Sequence, residues 1–471
     1  MSTKSPMERL PSEVIHNILS QLDDVQSLHS AILSCHWLWA VFSQDNSRII
    51  TRVIYNQLDS SDVRPEALIA WKASTLPKPP TAASSQDICK NYLSARATDL
   101  HIPLTTDDAA TITKFQFTVE KLADTFAKDT FQKLFSKHGV GLQKIEATAF
   151  EKSRIMRALY RFEIFCKLFR YPVIGSIRPQ REQLGKCMLQ FLSQFSPWEN
   201  EQLRCIYKFL FLKVSPAEHD IMWGKVEVHP IRCFESFDSR GLHSILMNGL
   251  DMIAGVSEAD TYARKYELMV PNSGFIDRCV HQLDQGLKDY SLLRDTDSDV
   301  LVGNYSDVHD YASRVKPPYF RDPDDGPFES WKWAYGSSSL SEASRQKHEG
   351  PLRELGYIMW DKERLDEIRV FQLEYQSPKS DDLNIDELYY HIGDAGRVYR
   401  ESLKRRSKIY KQGGIGWWDV GDESKVVWLR GKPDPNPSPK LKVPVCSINM
   451  MTMSRADHTQ SFREFSAALK F

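Results

Sequence analysis

The sequence has almost no charge imbalance. Over 471 residues, 61 Lys and Arg stand against 62 Asp and Glu, a formal net charge of −1. A protein held to nucleic acid or an acidic membrane by counterion release carries a basic excess, so a generic polyanion binder is excluded. Glycine is also scarce, at 22 residues. That is a thin supply for a turn-dense β architecture, and a mostly helical chain is expected. No stretch approaches the ~18 consecutive apolar residues of a membrane helix, and residues 1–6 hold no apolar core, so the expectation is a chain neither secreted nor membrane-spanning. The eight cysteines stand singly, with no Cys-x-x-Cys. They read as small core residues in a reducing compartment, not as a disulfide framework or a thiolate metal site. Fixed-period repeats, His-x-x-x-His and Gly-x-Ser-x-Gly are missing too, which removes regular solenoids, common zinc sites and the hydrolase elbow.

What is present is helical periodicity. Residues 8–58 carry three short patterns. Ile15, Ile18, Leu19 and Leu22 make one stripe behind Pro11 and Ser12, and Asp23-Asp24 ends it. A second runs Leu28, Ile32, Cys35 and Trp39. The third runs Ile49, Ile50, Val53, Ile54 and Leu58, with Asn46 or Ser47 as its cap. Helices this short must pack together or on a partner. A Pro and Ser rich stretch, 76–85, reads as a spacer. Beyond it a helix is predicted from Thr106 to about Lys137, and another on the stripe Ile155, Leu159, Phe162, Cys166 and Phe169. Ser196-Pro197-Trp198-Glu199 and Ser215-Pro216-Ala217-Glu218 each place Ser, Pro and Glu where a capping box needs them, and each predicts a helix start. Leu242, Ile245, Leu246, Leu250 and Ile253 give a further apolar face before Gly255.

From 295 the chain turns polar. Helical sequence resumes at Phe328, and 384–412 reads as a helix closed by Gly413. Val426 to Leu429 reads as a short strand, and the proline-rich 431–444 as extended. The expected organisation is an N-terminal unit at 1–58, a helical linker at 59–97, a helical body at 98–294, a polar loop at 295–327 and an aromatic-rich helical region at 328–471. In fold class the chain is expected to be mostly α, a three-helix unit followed by a large irregular helical domain with little or no β.

The N-terminal unit is the specific part. Leu10-Pro11-x-Glu13-Val14-Ile15-x-x-Ile18-Leu19-x-x-Leu22, then an acidic turn and Leu28, Ile32, Leu33 and Cys35, resembles the F-box. Its continuation through Phe42 and on to Leu58 is similar to the start of a large group of F-box-like proteins of filamentous fungi. So are the Ser196 to Leu203 helix start, the block Leu352-Arg353-x-x-Gly356-Tyr357-x-x-Trp360-Asp361-x-x-Arg364-Leu365, and Gly416-Trp417-Trp418.

The resemblance implies docking on the Skp adaptor of a cullin ubiquitin ligase through Leu10, Pro11, Ile15, Ile18, Leu19, Leu22, Leu28 and Ile32, a helix-in-groove mode. It implies a substrate-recognition subunit that binds an unknown protein and performs no catalysis. No cofactor, metal, nucleic acid or membrane is implied, and the location would be cytoplasmic, nuclear or both. The alternative is an F-box-like scaffold acting outside a ligase.

Other signals have plainer accounts. Gly413-Gly414-Ile415-Gly416 follows a helix and lacks a preceding strand, so it reads as a C-terminal cap and not a phosphate loop. Lys404 to Lys408 is basic but sits in the last turns of a helix, where cations suit the dipole. Ser377-Pro378 and Ser438-Pro439 lie in loop-like sequence, open to proline-directed phosphorylation. The late aromatics Trp331, Trp333, Tyr335, Tyr357, Trp360, Trp417, Trp418 and Trp428 could serve as partner anchors or as core, and core is the commoner use.

Overall fold

The computed structural model describes residues 9–97, 101–138, 146–170, 187–223 except 189 and 193, 245–269, 322–335, 352–369, 371, 404–416 except 407, 423–428 and 431. Within these the chain is mostly α, as its low glycine and helical periodicity predict. Residues 295–321 of the expected polar loop, residues 384–403, Trp417-Trp418, most of the proline-rich 431–444 and both Ser-Pro sites lie outside the described residues, and the end of that loop, from Gly326, is helical.

The N-terminal patterns form four helices, not three: α1 (Ser12–Ser20), α2 (Val25–Ser34), α3 (His36–Gln44) and α4 (Asn46–Ser60). The stripe from Leu28 to Trp39 is cut because Cys35 is extended, at φ −150° and ψ 128°. Leu28 is buried and Trp39 is 48% exposed, so the two ends of the stripe do not share a face. Asp24 caps α2 by accepting the Ser27 amide at 2.7 Å and the Ser27 hydroxyl at 2.8 Å. At α4 the N-cap position is Asp45, and Ser47 instead donates to the Leu104 carbonyl at 2.9 Å. Asn56 donates its amide to the Ser20 and Leu22 carbonyls, both at 3.0 Å, and so satisfies the end of α1.

The stretch expected as a linker holds two core helices, α5 (Arg64–Ser74) and α6 (Ala82–Ala97). Ala67, Leu68, Ile69, Ala70 and Ala73 of α5 are buried against the body. The last four residues of the supposed spacer, 82–85, are helical, because Thr81 and Ser84 exchange backbone-to-hydroxyl bonds that start α6, and Ser85 is buried, donating to the Leu168 carbonyl. α7 (Thr106–His138) has the predicted bounds almost to the residue. α8 (Ala149–Phe169) is the central helix, buried on nearly every side by α5, α7 and α9 (Pro197–Trp223).

The Ser196 capping box forms as read, with the Ser196 amide to Glu199 Oε2 at 2.9 Å and the Glu199 amide to Ser196 Oγ at 3.3 Å. The Ser215 signal does not start a helix. Pro216 lies inside α9, on its exposed side, and the Ser215 hydroxyl turns back to the Phe211 carbonyl at 2.8 Å. α10 (Leu250–Glu258) runs straight through Gly255, and α11 (Tyr262–Met269) packs beside it. α12 (Gly326–Tyr335) and α13 (Lys362–Glu367) close the body.

One apolar core runs from Ile15 to Ile368. A separate small one, Ile409 with Val426 and Trp428, lies under a two-stranded antiparallel ribbon of β1 (Gly414–Gly416) and β2 (Val426–Trp428). The predicted strand is thus β2, paired with the glycine-rich segment. Gly413 has φ +89° just after the helical residues 408–411, the left-handed geometry that glycine supplies at a helix end.

Candidate partner surface and buried ionic core

The residues expected to dock fall into three classes. Ile15, Leu19 and Leu28 are 0 to 2% exposed and hold the N-terminal helices to one another and to α4. Leu10, Leu22 and Ile32 are half-buried, while Pro11 and Ile18 are exposed. Val14, which the sequence reading did not assign to docking, is 41% exposed and lies with Pro11 and Ile18 at i, i+3 and i+7, on one face of α1. Leu33 at the end of α2 is 70% exposed, and Trp39 on α3 is 48% exposed. Large apolar side chains left in water on three consecutive helices are the candidate partner surface. Sequence periodicity found the stripe but could not separate its inner edge from its outer one, because the half-turn that decides this is set by α4.

The rest of the molecule hides a different chemistry. α8 carries Arg154, Arg157 and Arg161, none more than 4% exposed. Arg154 is held by Asp322 at 2.6 and 2.8 Å, by Asp361 at 2.7 Å and by the Met359 carbonyl at 3.0 Å. Arg157 meets Asp62 at 2.6 Å and also donates to Ser153. Arg161 donates to Glu199 at 2.8 Å, Tyr92 at 3.2 Å and Glu66 at 3.4 Å, and stacks 4.8 Å from the Phe195 ring centroid.

Burial by itself lowers an arginine pKa, and it prevails at Arg157. At Arg161 burial is outweighed by Glu199, Tyr92 and Glu66, and at Arg154 by Asp322 and Asp361, so both stay above the ordinary value. Charges so deep in a protein persist only when each is paired and hydrogen-bonded.

The late motif Leu352 to Leu365 belongs to this network. Arg353 donates to Glu201 at 2.7 Å, Tyr357 to the same carboxylate at 3.3 Å, and Arg364 to both oxygens of Glu151 at 2.7 and 2.8 Å. Gly356 sits at φ +55°, where a Cβ would stand 2.8 Å from Phe126. Trp360 is fully buried, 4.4 Å from the Phe131 ring centroid. Trp331, Tyr357 and Trp360 are therefore core, whereas Trp333 and Trp428 are half-buried. In the basic run, Arg405 pairs with Glu423 and Arg406 is buried.

Among the described residues no group of His, Cys, Asp or Glu is placed to hold a metal ion, and no helix is long and apolar enough to cross a membrane. Burial pushes the Cys89 thiol up to about 12 and the Cys166 and Cys205 thiols well above their ordinary value. None of the three is poised as a nucleophile. Comparison with known protein families, curated proteins and solved structures finds no match for this chain.

Proposed function

We propose that the chain is a non-catalytic substrate-recognition subunit of a Skp-cullin-F-box ubiquitin ligase, with its N-terminal helices docking on the Skp adaptor. The carrying observation is the exposed apolar set Pro11, Val14, Ile18, Leu33 and Trp39 on α1 to α3, in the segment that resembles the F-box. An exposed stripe at i, i+3 and i+7 is the form a helix takes when it lies in a partner's groove. In this reading the buried Ile15, Leu19 and Leu28 shape the docking edge from below. The helical body, tied together by the ionic core, presents a protein substrate to the ligase and raises its effective concentration there. The transfer chemistry belongs to other subunits, and the protein works in the cytoplasm, the nucleus or both.

The test is co-purification of the Skp adaptor and cullin with tagged full-length protein from its own cells. Val14→Asp with Ile18→Asp alters only exposed positions, so it is expected to cut adaptor recovery at least about tenfold with an unchanged melting curve. Failure of the wild type to bring down adaptor or cullin defeats the proposal. Equal recovery by the double variant defeats the assignment of the surface. Burial of Ile15, Leu19 and Leu28 against the chain's own helices also supports a second reading, a scaffold that works outside a ligase. Recovery of stable partners without adaptor selects that one.

A further inference from the structure

The helical body contains a cavity of about 270 Å³ bounded by α5, α7, α8 and α10. That is close to the ~300 Å³ at which small-molecule sites begin. Its floor is made where Ala67 and Ala70 of α5 leave room beside Ile112 and Tyr160. Aromatic rings from two different helices, Trp71 and Phe115, are half-buried in its walls, and Phe115 meets Tyr160 edge-on at 5.7 Å. The lining also carries polar groups, Ser74, Thr111, Lys114, Glu163, Lys167 and Asp251, the mixture found in sites that orient an amphipathic ligand.

The charged groups of the lining are unevenly committed. Glu163 is buried and already satisfied, accepting from Lys167 at 2.9 Å and from the Leu250 amide at 2.7 Å. Asp251 accepts from the Thr118 hydroxyl at 2.9 Å. The Tyr160 hydroxyl is spent on Gln116. Lys114, exposed, has no ion-pair partner among the described residues, and Lys167 is paired with Glu163 and also lies in the field of Asp251. The cavity thus has two half-buried aromatic side chains and two lysines in its lining, one of them, Lys114, with no ion-pair partner among the described residues.

We propose that this cavity binds a small, flat aromatic monocarboxylate, with the ring system between Trp71 and Phe115 and the carboxylate on Lys114 and Lys167. The site lies in the body and uses no residue of the N-terminal docking surface, so it stands or falls separately from the ligase reading.

The probe is 2-naphthoate, titrated into the full chain by calorimetry beside its neutral analogue 2-naphthamide. One molecule of naphthoate per chain is expected to bind with a dissociation constant on the order of 0.1 mM, the range typical of a dozen well-buried atoms. Lys114→Ala is at an exposed position and should weaken naphthoate about five- to tenfold while leaving naphthamide unchanged. Ala70→Leu fills the floor and should abolish both. Ser74→Leu at the rim should do the same if the first variant does not fold. Absence of saturable naphthoate binding overturns the proposal. So does wild-type affinity in a folded floor or rim variant, or an equal effect of Lys114→Ala on the two probes.

Discussion

Arg161→Met takes the guanidinium out of the ionic core and leaves two carboxylates behind. Arg161, Glu66 and Glu199 are 1, 2 and 3% exposed, so none can recruit bulk water. Glu199 would keep the Ser196 amide and hydroxyl, at 2.9 and 3.2 Å, and Glu66 would keep the Tyr92 hydroxyl at 2.8 Å. Both would lose the guanidinium paired to them, and Glu66 would keep only the more distant charge of Arg157. Breaking a buried pair from one side costs about 3–5 kcal/mol, because the surviving charge is desolvated without compensation. The retained hydrogen bonds place this site toward the lower bound, and the lost stacking on Phe195 adds about 1 kcal/mol. A loss of about 4 kcal/mol is expected, read as a lower denaturant midpoint and, for a chain of 471 residues, a melting temperature lower by roughly 4 °C. Neutralising the stranded groups in the triple variant Arg161→Met, Glu66→Gln, Glu199→Gln should return at least half of it. A single variant within 1 kcal/mol of wild type refutes the reasoning, and so does a triple variant no better than the single one.

Three further outcomes follow from the same structure. Gly249→Ala forces a Cβ to 2.6 Å from Glu163 at φ +93°, so it should cost about 1–3 kcal/mol in urea unfolding; a neutral result would show that α10 can shift freely. Asp24→Ala removes the α2 cap and should cost about 1 kcal/mol near neutral pH. The Ser27 bonds hold the Asp24 carboxyl below its ordinary 3.8, so the charged form's share is present above that value and fades as pH falls through the lowered one. The gap between wild type and variant should therefore narrow below about pH 4 in acid-unfolding curves. With mass-mapped alkylation at pH 8, half-buried Cys35 should label in the native protein, whereas Cys89, held up to about 12 by burial, should label only after unfolding.

Local signals that act within one turn were legible. The α7 bounds, the Ser196 capping box and the cap at Gly413 all follow from neighbouring residues, and the structure has them where the sequence puts them. The Ser215 tetrad has the same letters and a different outcome, because the helix begun at Pro197 was already running and Ser215 could bond back to Phe211. At the N-terminal unit the periodicity marked which residues are apolar, yet the inner and outer edges depend on α4 packing across from α1. The ionic core was illegible for a plainer reason. Arg154, Arg157 and Arg161 look like the solvated face of an amphipathic helix, and Arg157 and Arg161 reach Asp62 and Glu66 across 95 residues, Arg154 its Asp361 partner across 207. No window along the chain contains both halves of such a pair.

That separation bears on how the protein is made. Arg154 is fully buried, and every hydrogen-bond partner it has there, Asp322, Met359 and Asp361, is translated after it. At about 5–20 residues per second the ribosome needs roughly 10–40 s to deliver Asp361 once Arg154 has been added. During that interval α8 can assemble on α5 and α7 only by burying a guanidinium without its carboxylates. Nascent chains halted anywhere before Asp361 should therefore stay protease-sensitive in α8 and attractive to chaperones, and release of α13 should lock the body in one step.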